Sequence, residues 1–103
     1  MVGIDIVDLS RIVLRESFVK QVLTDMEQKE YYARTSEKRR IEYIGGRFAA
    51  KEAIFKATQD RRYLRYSILN GENGAPYVLD HPEIAVSITH DGGFAAAVVQ
   101  ISK

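Results

Sequence analysis

The stretch Glu37–Thr58 reads EKRRIEYIGGRFAAKEAIFKAT and decides the fold, because it carries the clearest helical periodicity in the chain. Ser36 precedes it as a helix cap, and Ile41, Ile44, Phe48 and Phe55 recur at helical spacing along one narrow stripe. The stretch therefore predicts a long helix that packs on the rest of the protein through this stripe.

A strand pattern and two shorter helices precede the long helix. Residues 2–7 alternate with period two, which predicts a short strand that buries Val2 and its isoleucines and turns Asp5 to the opposite face. The mixed periodicity of residues 11–23 predicts a helix, and Thr24, followed three residues later by an acid, predicts the start of another.

Two pairs of strand patterns follow the long helix, and each pair flanks a sequence typical of turns. The first pair is 66–70 with 77–79, and the second is 84–89 with 94–101. The order of strand, helices and hairpins predicts an α+β fold, with a largely antiparallel sheet packed on a long helix. A chain of 103 residues has the length of one domain, so we expect a single domain over residues 1–103.

Composition excludes several classes of protein. The chain has no cysteine, which rules out disulfides, thiolate nucleophiles and thiolate metal sites. Its apolar runs are far shorter than the roughly 20 residues that span a bilayer, so no membrane association is expected. The start MVGIDIVD carries acids where a signal peptide carries bases, and a cytoplasmic location is therefore expected.

Charge is unevenly distributed along the chain. The net charge is +1, yet ten bases face four acids between Arg34 and Tyr66. Such a segment suits an anionic partner, although a solvated helix face would have the same composition. With six tyrosines available for stacking, a non-enzymatic single-stranded nucleic-acid-binding module is the alternative function.

Glu52 is the most informative residue of the long helix, because it falls on the apolar stripe itself, about 20° around the helix from Ile41. Burying an unpaired carboxylate is too costly for a small domain, so Glu52 must meet a cation, a metal or a proton, or lie at the rim of a pocket. A simple surface pair with Lys56, one turn onward, is one solution. Alternatively, Glu52 takes a metal ion while Arg47 and Lys51, predicted as a basic ridge beside the stripe, bind phosphates.

A second metal ligand would be another carboxylate brought close by the fold. Asp5 on the first strand is the better candidate and Asp8 is its rival. His90 ends a predicted strand at a hairpin tip, where its ring could reach a phosphate or cap the turn.

Three motifs in order resemble those of the holo-acyl-carrier-protein synthases, a family of small phosphopantetheinyl transferases. They are G-I-D at residues 3–5, followed by Arg11; G-R-F-A-A-K-E-A-I-F-K at residues 46–56; and V-S-I-T-H at residues 86–90. The resemblance covers nearly the whole chain and implies a phosphopantetheinyl-transferase-like fold. One departure stands out: residues 57–62 read ATQDRR where the family typically has a glycine-rich loop near the coenzyme.

The resemblance implies transfer of the phosphopantetheine arm from coenzyme A to a serine of an apo acyl carrier protein, with release of adenosine 3′,5′-bisphosphate. It implies Mg²⁺ held by Asp5 and Glu52. Four basic side chains would position the phosphates and stabilise the departing one: Arg47, Lys51, Lys56 and His90.

The resemblance also implies partners. Family members form homotrimers with active sites between subunits, so a pocket completed by another copy is expected. Arg11 and Arg15 match, or nearly match, the surface on which the acidic carrier protein docks, and opposite charges would make that association sensitive to salt.

Overall fold

The computed structural model describes residues 1–102 and confirms the mixed architecture expected from the sequence. From the N-terminus, its strands and α-helices are β1 Val2–Asp8, α1 Glu16–Val22, α2 Asp25–Ala33, α3 Glu37–Thr58, β2 Ile68–Asn70, β3 Pro76–Val78, β4 Ile84–Asp91 and β5 Phe94–Ile101. One antiparallel sheet has the strand order β1-β5-β4, and β2 pairs with β3 in a separate hairpin.

The long helix α3 has the predicted bounds, and both of its ends are explained by local chemistry. The Ser36 hydroxyl accepts a hydrogen bond from the Arg39 amide, which satisfies a free N–H of the first turn. At the other end Gln59 adopts a left-handed conformation with φ 66°, and its amide donates to the Phe55 carbonyl. Chain direction therefore changes sharply after Thr58.

The long helix packs on the sheet through small residues, not through the predicted apolar stripe. Ala49, Ala50 and Ala53 are fully buried, whereas Phe48 and Phe55 are only half-buried. Small side chains allow close approach, and one hydrophobic cluster fills the space between α3 and the sheet while a second joins α3 to α1 and α2. The stripe prediction for α3 was therefore right for Ile44, which is fully buried in the second cluster, and wrong for Ile41, Phe48 and Phe55, which are only partly buried.

The face of β1 that packs on α3 is also the reverse of the predicted one. Gly3 is buried, and a Cβ atom there would overlap the carbonyl of Ala53, so the strand lies directly on the helix backbone. Because side chains alternate along a strand, Asp5 shares the helix-facing side with Gly3, while Ile4 and Ile6 point to solvent. The prediction, which rested on hydrophobicity alone, therefore placed the wrong face of β1 against the helix.

The segment predicted as one helix over residues 11–23 consists of two pieces. Leu9–Arg11 form a 3₁₀ turn, the chain is extended at Ile12, and α1 begins only after Arg15, which is itself extended with ψ 142°. The β-branched pair Ile12-Val13 favours this extended link. By contrast, the Thr24 capping box is confirmed, since the Thr24 side chain and backbone both bond to Glu27 at the start of α2.

Both predicted hairpins are present. The β4–β5 turn contains Gly92 and Gly93 with φ 57° and 85°, the left-handed pair that a two-residue hairpin turn requires. Within residues 1–102, none of the helices combines the length and the hydrophobicity needed to cross a lipid bilayer.

Candidate active site

Asp5 lies beside the C-terminal half of α3 because β1 packs against that helix. Its Oδ1 atom accepts a hydrogen bond of 2.9 Å from the Lys56 ammonium, which also donates to the Ile4 carbonyl at 3.0 Å. The Asp5 side chain is 16% exposed and that of Lys56 is 54% exposed. A strand residue and a helix residue 51 positions apart in sequence therefore meet at a solvent-accessible edge.

Asp8, the rival metal ligand, has a structural partner instead. Its Oδ1 atom accepts hydrogen bonds from the Ser10 amide and the Ser10 hydroxyl, which caps the 3₁₀ turn at residues 9–11. These bonds from Ser10 hold the pKa of Asp8 below its ordinary value. Of the two candidates, Asp5 is the one that lies next to α3.

Glu52 is not on the buried face of α3. Its side chain is 20% exposed and forms an ion pair of 3.2 Å with Arg61, in the segment that follows the helix. The Tyr63 hydroxyl donates a second hydrogen bond of 2.5 Å to Glu52 Oε2. Burial, reinforced by this bond, raises the pKa of Tyr63, so its hydroxyl stays a donor at neutral pH. The surface pair with Lys56, one of the alternatives for Glu52, does not form, because Lys56 pairs with Asp5.

Lys51 occupies the inward position that the sequence analysis gave to Glu52. Its side chain is 1% exposed, and its ammonium donates 2.6 Å hydrogen bonds to Glu27 and to the Val22 carbonyl. Burial lowers the pKa of Lys51, an effect that the Glu27 carboxylate opposes. Since the ammonium has no open path to solvent, the predicted exposed ridge of Lys51 with Arg47 does not exist.

Arg47 is also buried, but one edge of its guanidinium reaches a cavity. The group donates to the Ile68 carbonyl at 3.0 Å and to Asn70 Oδ1 at 2.8 Å, and it lies 4.1 Å from the centroid of the Tyr43 ring. Burial lowers the pKa of this arginine. These hydrogen bonds tie the Arg47 guanidinium to β2 and fix its position at the base of the cavity.

His90 lines the same cavity, which has a volume of about 650 Å³. The His90 side chain is 53% exposed and lies 3.6 Å from Glu42. Arg39 was not singled out by the sequence analysis, although its place on the Arg34–Tyr66 basic segment was a usable signal. The basic residues that line this cavity are Arg34, Arg39, Arg47 and His90.

A second cavity, of about 840 Å³, joins Asp5 to both predicted docking arginines. Arg11 and Arg15 line its rim although they do not share a helix, and Phe18 and Phe48 contribute apolar walls. No lining residue is shared with the His90 cavity over residues 1–102. The cavity that contains Asp5 and the cavity lined by His90 and three arginines are therefore separate surfaces of one chain.

The outward side of the sheet is apolar and open. Val2, Ile4 and Ile6 of β1 are 65–66% exposed, and Val98, the pairing partner of Ile4 on β5, is 40% exposed. A continuous patch of large apolar side chains on a sheet is unusual for a free surface.

The acids at the edge of α3 suit a hard divalent cation. Over residues 1–102, no three histidine, cysteine or acidic side chains form a ligand group. Mg²⁺ is commonly held by one or two carboxylates together with water and phosphate oxygens. Each acid is reachable from solvent and is neutralised by an exposed cation, so the residues fit such an ion.

Comparison with known proteins gives a consistent result. The protein-family model of the 4'-phosphopantetheinyl transferase N-terminal domain matches residues 27–100 of this chain. A holo-[acyl-carrier-protein] synthase of Halalkalibacterium halodurans is 42% identical over an alignment of 112 positions, which covers 98% of this chain and 93% of that protein. The Bacillus subtilis protein of the same description is 40% identical and covers 99% of this chain and 94% of its own length.

Solved structures agree with these sequence matches. The holo-(acyl-carrier-protein) synthase from Bacillus anthracis in complex with CoA (3',5'-ADP) superposes with a TM-score of 0.84 at 33% identity, covering 95% of this chain and 91% of that one. The Helicobacter pylori synthase in complex with coenzyme A gives a TM-score of 0.76 at 31% identity, covering 99% and 100%. These matches confirm the expected fold and lend no support to the nucleic-acid alternative.

Proposed function

The chain belongs to the holo-[acyl-carrier-protein] synthase family of 4'-phosphopantetheinyl transferases, and from this premise we propose how its residues carry out the reaction. It transfers the phosphopantetheine arm of coenzyme A to a serine of an apo acyl carrier protein and releases adenosine 3′,5′-bisphosphate. The observation that carries the proposal is the position of Lys56, whose ammonium contacts Asp5 while its backbone lies one helical turn beyond Glu52.

Asp5 and Glu52 are the proposed holders of Mg²⁺. When bound, this ion would offset the negative charge that builds up on the coenzyme diphosphate during transfer. The support from the chain itself is that both acids are partly exposed, both already attract cations, and Tyr63 fixes the orientation of one of them.

Lys56 is the proposed catalytic cation, and its ammonium contacts the reacting end of the coenzyme. Its ammonium is 54% exposed and lies at the edge where Asp5 opens to solvent, so it can exchange a carboxylate for a phosphate oxygen. A fixed positive charge there stabilises the departing phosphate, because the charge is in place before the bond breaks.

The His90 cavity is the proposed seat of the nucleotide end. Arg47 at its base and His90 at its rim would pair with phosphate oxygens, and Asn70 holds the guanidinium of Arg47 in place. Lys51 takes a different role from the one first inferred. Its ammonium stabilises the packing of α2 on α3 through Glu27, and so supports the cavity without contacting phosphate.

Arg11 and Arg15 are the proposed contacts for the acidic carrier protein. Both line the cavity that also contains Asp5, so a carrier docked on them would bring its serine toward the proposed metal-holding acid. The phenylalanine walls of the cavity offer apolar contact between the charged rims. Association steered in this way should weaken as salt rises.

A homotrimer is the proposed assembly, and the outward side of the sheet is its proposed contact. Ile4, Ile6 and Val98 expose apolar side chains there that a neighbouring copy would bury. Because the Asp5 and His90 surfaces are separate in one chain, a neighbouring copy could bring the two kinds of surface together. Light scattering on the wild type and on Ile4→Glu tests this, and a monomeric wild type would contradict it.

The transfer itself is tested by incubating the protein with coenzyme A, Mg²⁺ and an apo acyl carrier protein. Mass spectrometry should show the carrier gaining one phosphopantetheine, and a competent carrier that stays unmodified would overturn the proposal. Glu52→Gln should reduce the rate at least about a hundredfold, since a neutral amide binds Mg²⁺ poorly.

The matched control is Glu83→Gln, an exposed acid paired with His81 outside the proposed site. This variant should keep the wild-type rate. Equal activity of Glu52→Gln and Glu83→Gln would rule out the assigned role of Glu52.

A further inference from the structure

Glu52 has two partners that differ in how firmly they are held. The Tyr63 hydroxyl is 2.5 Å from Oε2, and its ring is partly buried against Phe48, with centroids 5.8 Å apart. Arg61 approaches the same carboxylate at 3.2 Å and 3.4 Å, and its side chain is 56% exposed. The hydroxyl contact is therefore fixed by packing, whereas the guanidinium contact is exposed to competition.

Among the arginines of the loop after α3, the contact with Glu52 is specific to Arg61. Asp60 binds Arg62 at 2.9 Å and Arg65 at 2.6 Å, so these two arginines are occupied within the loop. Arg61 instead turns toward α3, where its guanidinium carbon lies 3.8 Å from the centroid of the Phe55 ring. The aromatic ring retains the guanidinium beside Glu52 even when the ion pair is broken.

We propose that Arg61 exchanges partners during the reaction: it neutralises Glu52 in the metal-free protein and binds the coenzyme diphosphate once that carboxylate is engaged in metal binding. The inference rests on the proposed function, because it takes Glu52 as a metal ligand and coenzyme A as the substrate. A guanidinium next to a divalent cation is repelled, while a diphosphate offers two oxygens in the geometry that a guanidinium binds in pairs. Arg61 therefore occupies the place of the metal ion at Glu52 until that ion and the coenzyme bind.

This exchange predicts two opposite effects of one substitution. In Arg61→Ala, Mn²⁺ binding in the absence of coenzyme should become about two- to fivefold tighter, because a competitor for Glu52 has been removed. Coenzyme A binding in the presence of Mg²⁺ should become about tenfold weaker, because a charge-assisted contact to phosphate is lost. Electron paramagnetic resonance measures the first affinity and titration calorimetry measures the second.

Arg62→Ala is the matched control, since it removes the same charge from the same loop while its side chain faces Asp60. It should leave both affinities at the wild-type values. If Arg61→Ala and Arg62→Ala behave alike while the wild type binds Mn²⁺ and coenzyme A, only the exchange is refuted. A wild type that binds neither would refute the proposed function together with it.

Discussion

Two neighbouring residues of α3, Lys51 and Glu52, form ion pairs of opposite character. Lys51 is 1% exposed and its Glu27 partner is fully buried, at a distance of 2.6 Å. Glu52 is 20% exposed and its Arg61 partner is 56% exposed, at 3.2 Å. One residue step rotates the side chain by about 100° around the helix, from the core to the rim.

The comparison shows that burial decides what an ion pair can do. Breaking the inner pair would leave a charge without solvent, so this pair holds α2 against α3. The outer pair can exchange either partner for another ion at small cost, which is what a binding site requires. The helix therefore places a structural ion pair and the proposed metal ligand at adjacent residues.

The largest expected effect comes from breaking the inner pair. Glu27→Ala removes the carboxylate that binds the Lys51 ammonium and also the Thr24 and Ile68 amides, so the free energy of unfolding should fall by about 3–5 kcal/mol. Urea denaturation measures this. Lys20→Ala, which breaks an exposed pair with Glu16, should leave the free energy of unfolding almost unchanged. Similar losses in both variants would contradict the comparison.

The next largest effect is expected at Lys56, on the exposed side. Lys56→Ala should lower kcat/KM about 10- to 100-fold through loss of a charge next to the departing phosphate. The free energy of unfolding should change by less than about 1 kcal/mol, because the pair with Asp5 is exposed. Rate assays and urea denaturation on the same sample separate the two effects. An unstable but fully active variant would reverse the assignment.

A smaller effect is expected for Tyr63→Phe, which removes the hydroxyl donor to Glu52 and keeps the ring on Phe48. The free energy of unfolding should fall by about 0.5–1.5 kcal/mol, the usual contribution of one hydrogen bond. Thermal unfolding compares it with Tyr77→Phe, whose side chain is exposed on β3. Equal stability of these two variants would show that the bond to Glu52 contributes nothing.

The smallest effect concerns the ion pairs that Asp60 forms after α3 with two exposed arginines. Hydrogen bonds from Arg62, with Arg65 in support, hold the pKa of Asp60 well below its ordinary value of 3.8. Ionised Asp60 therefore stabilises the fold above pH 3.8, and the contribution is lost as pH falls through the lowered folded-state pKa. Unfolding curves from pH 5 to pH 2 should show wild type and Asp60→Asn converging. A constant gap would contradict the shift.

The sequence was sufficient where local chemistry decides. The bounds of α3, its Ser36 cap, the Thr24 capping box and both hairpins follow from residues close together in the chain. The motifs at residues 3–5 and 46–56 also sufficed to indicate the family. The roles of individual site residues and the single-domain organisation stay predictions.

The sequence was insufficient where packing decides. Apolar side chains were assigned to the interior, yet Ile4 lies outside while Lys51 lies inside, because the sheet packs on α3 through alanines and glycines. No local pattern shows that the charge of Lys51 is matched by Glu27, which lies 24 residues away. Tyr63 and Arg61 were likewise missed as partners of Glu52, since only the turn after α3 brings them back to it.

The contact between Gly3 and the carbonyl of Ala53 has a consequence for how this protein can vary. Because the backbones of β1 and α3 are in direct contact there, this contact sets the distance between the strand that carries Asp5 and the helix that carries Glu52. A library randomised at position 3 and selected for growth should return glycine alone, whereas one randomised at Tyr77 should return many residues. The spacing on which the proposed chemistry depends is thus protected by the absence of a side chain at Gly3.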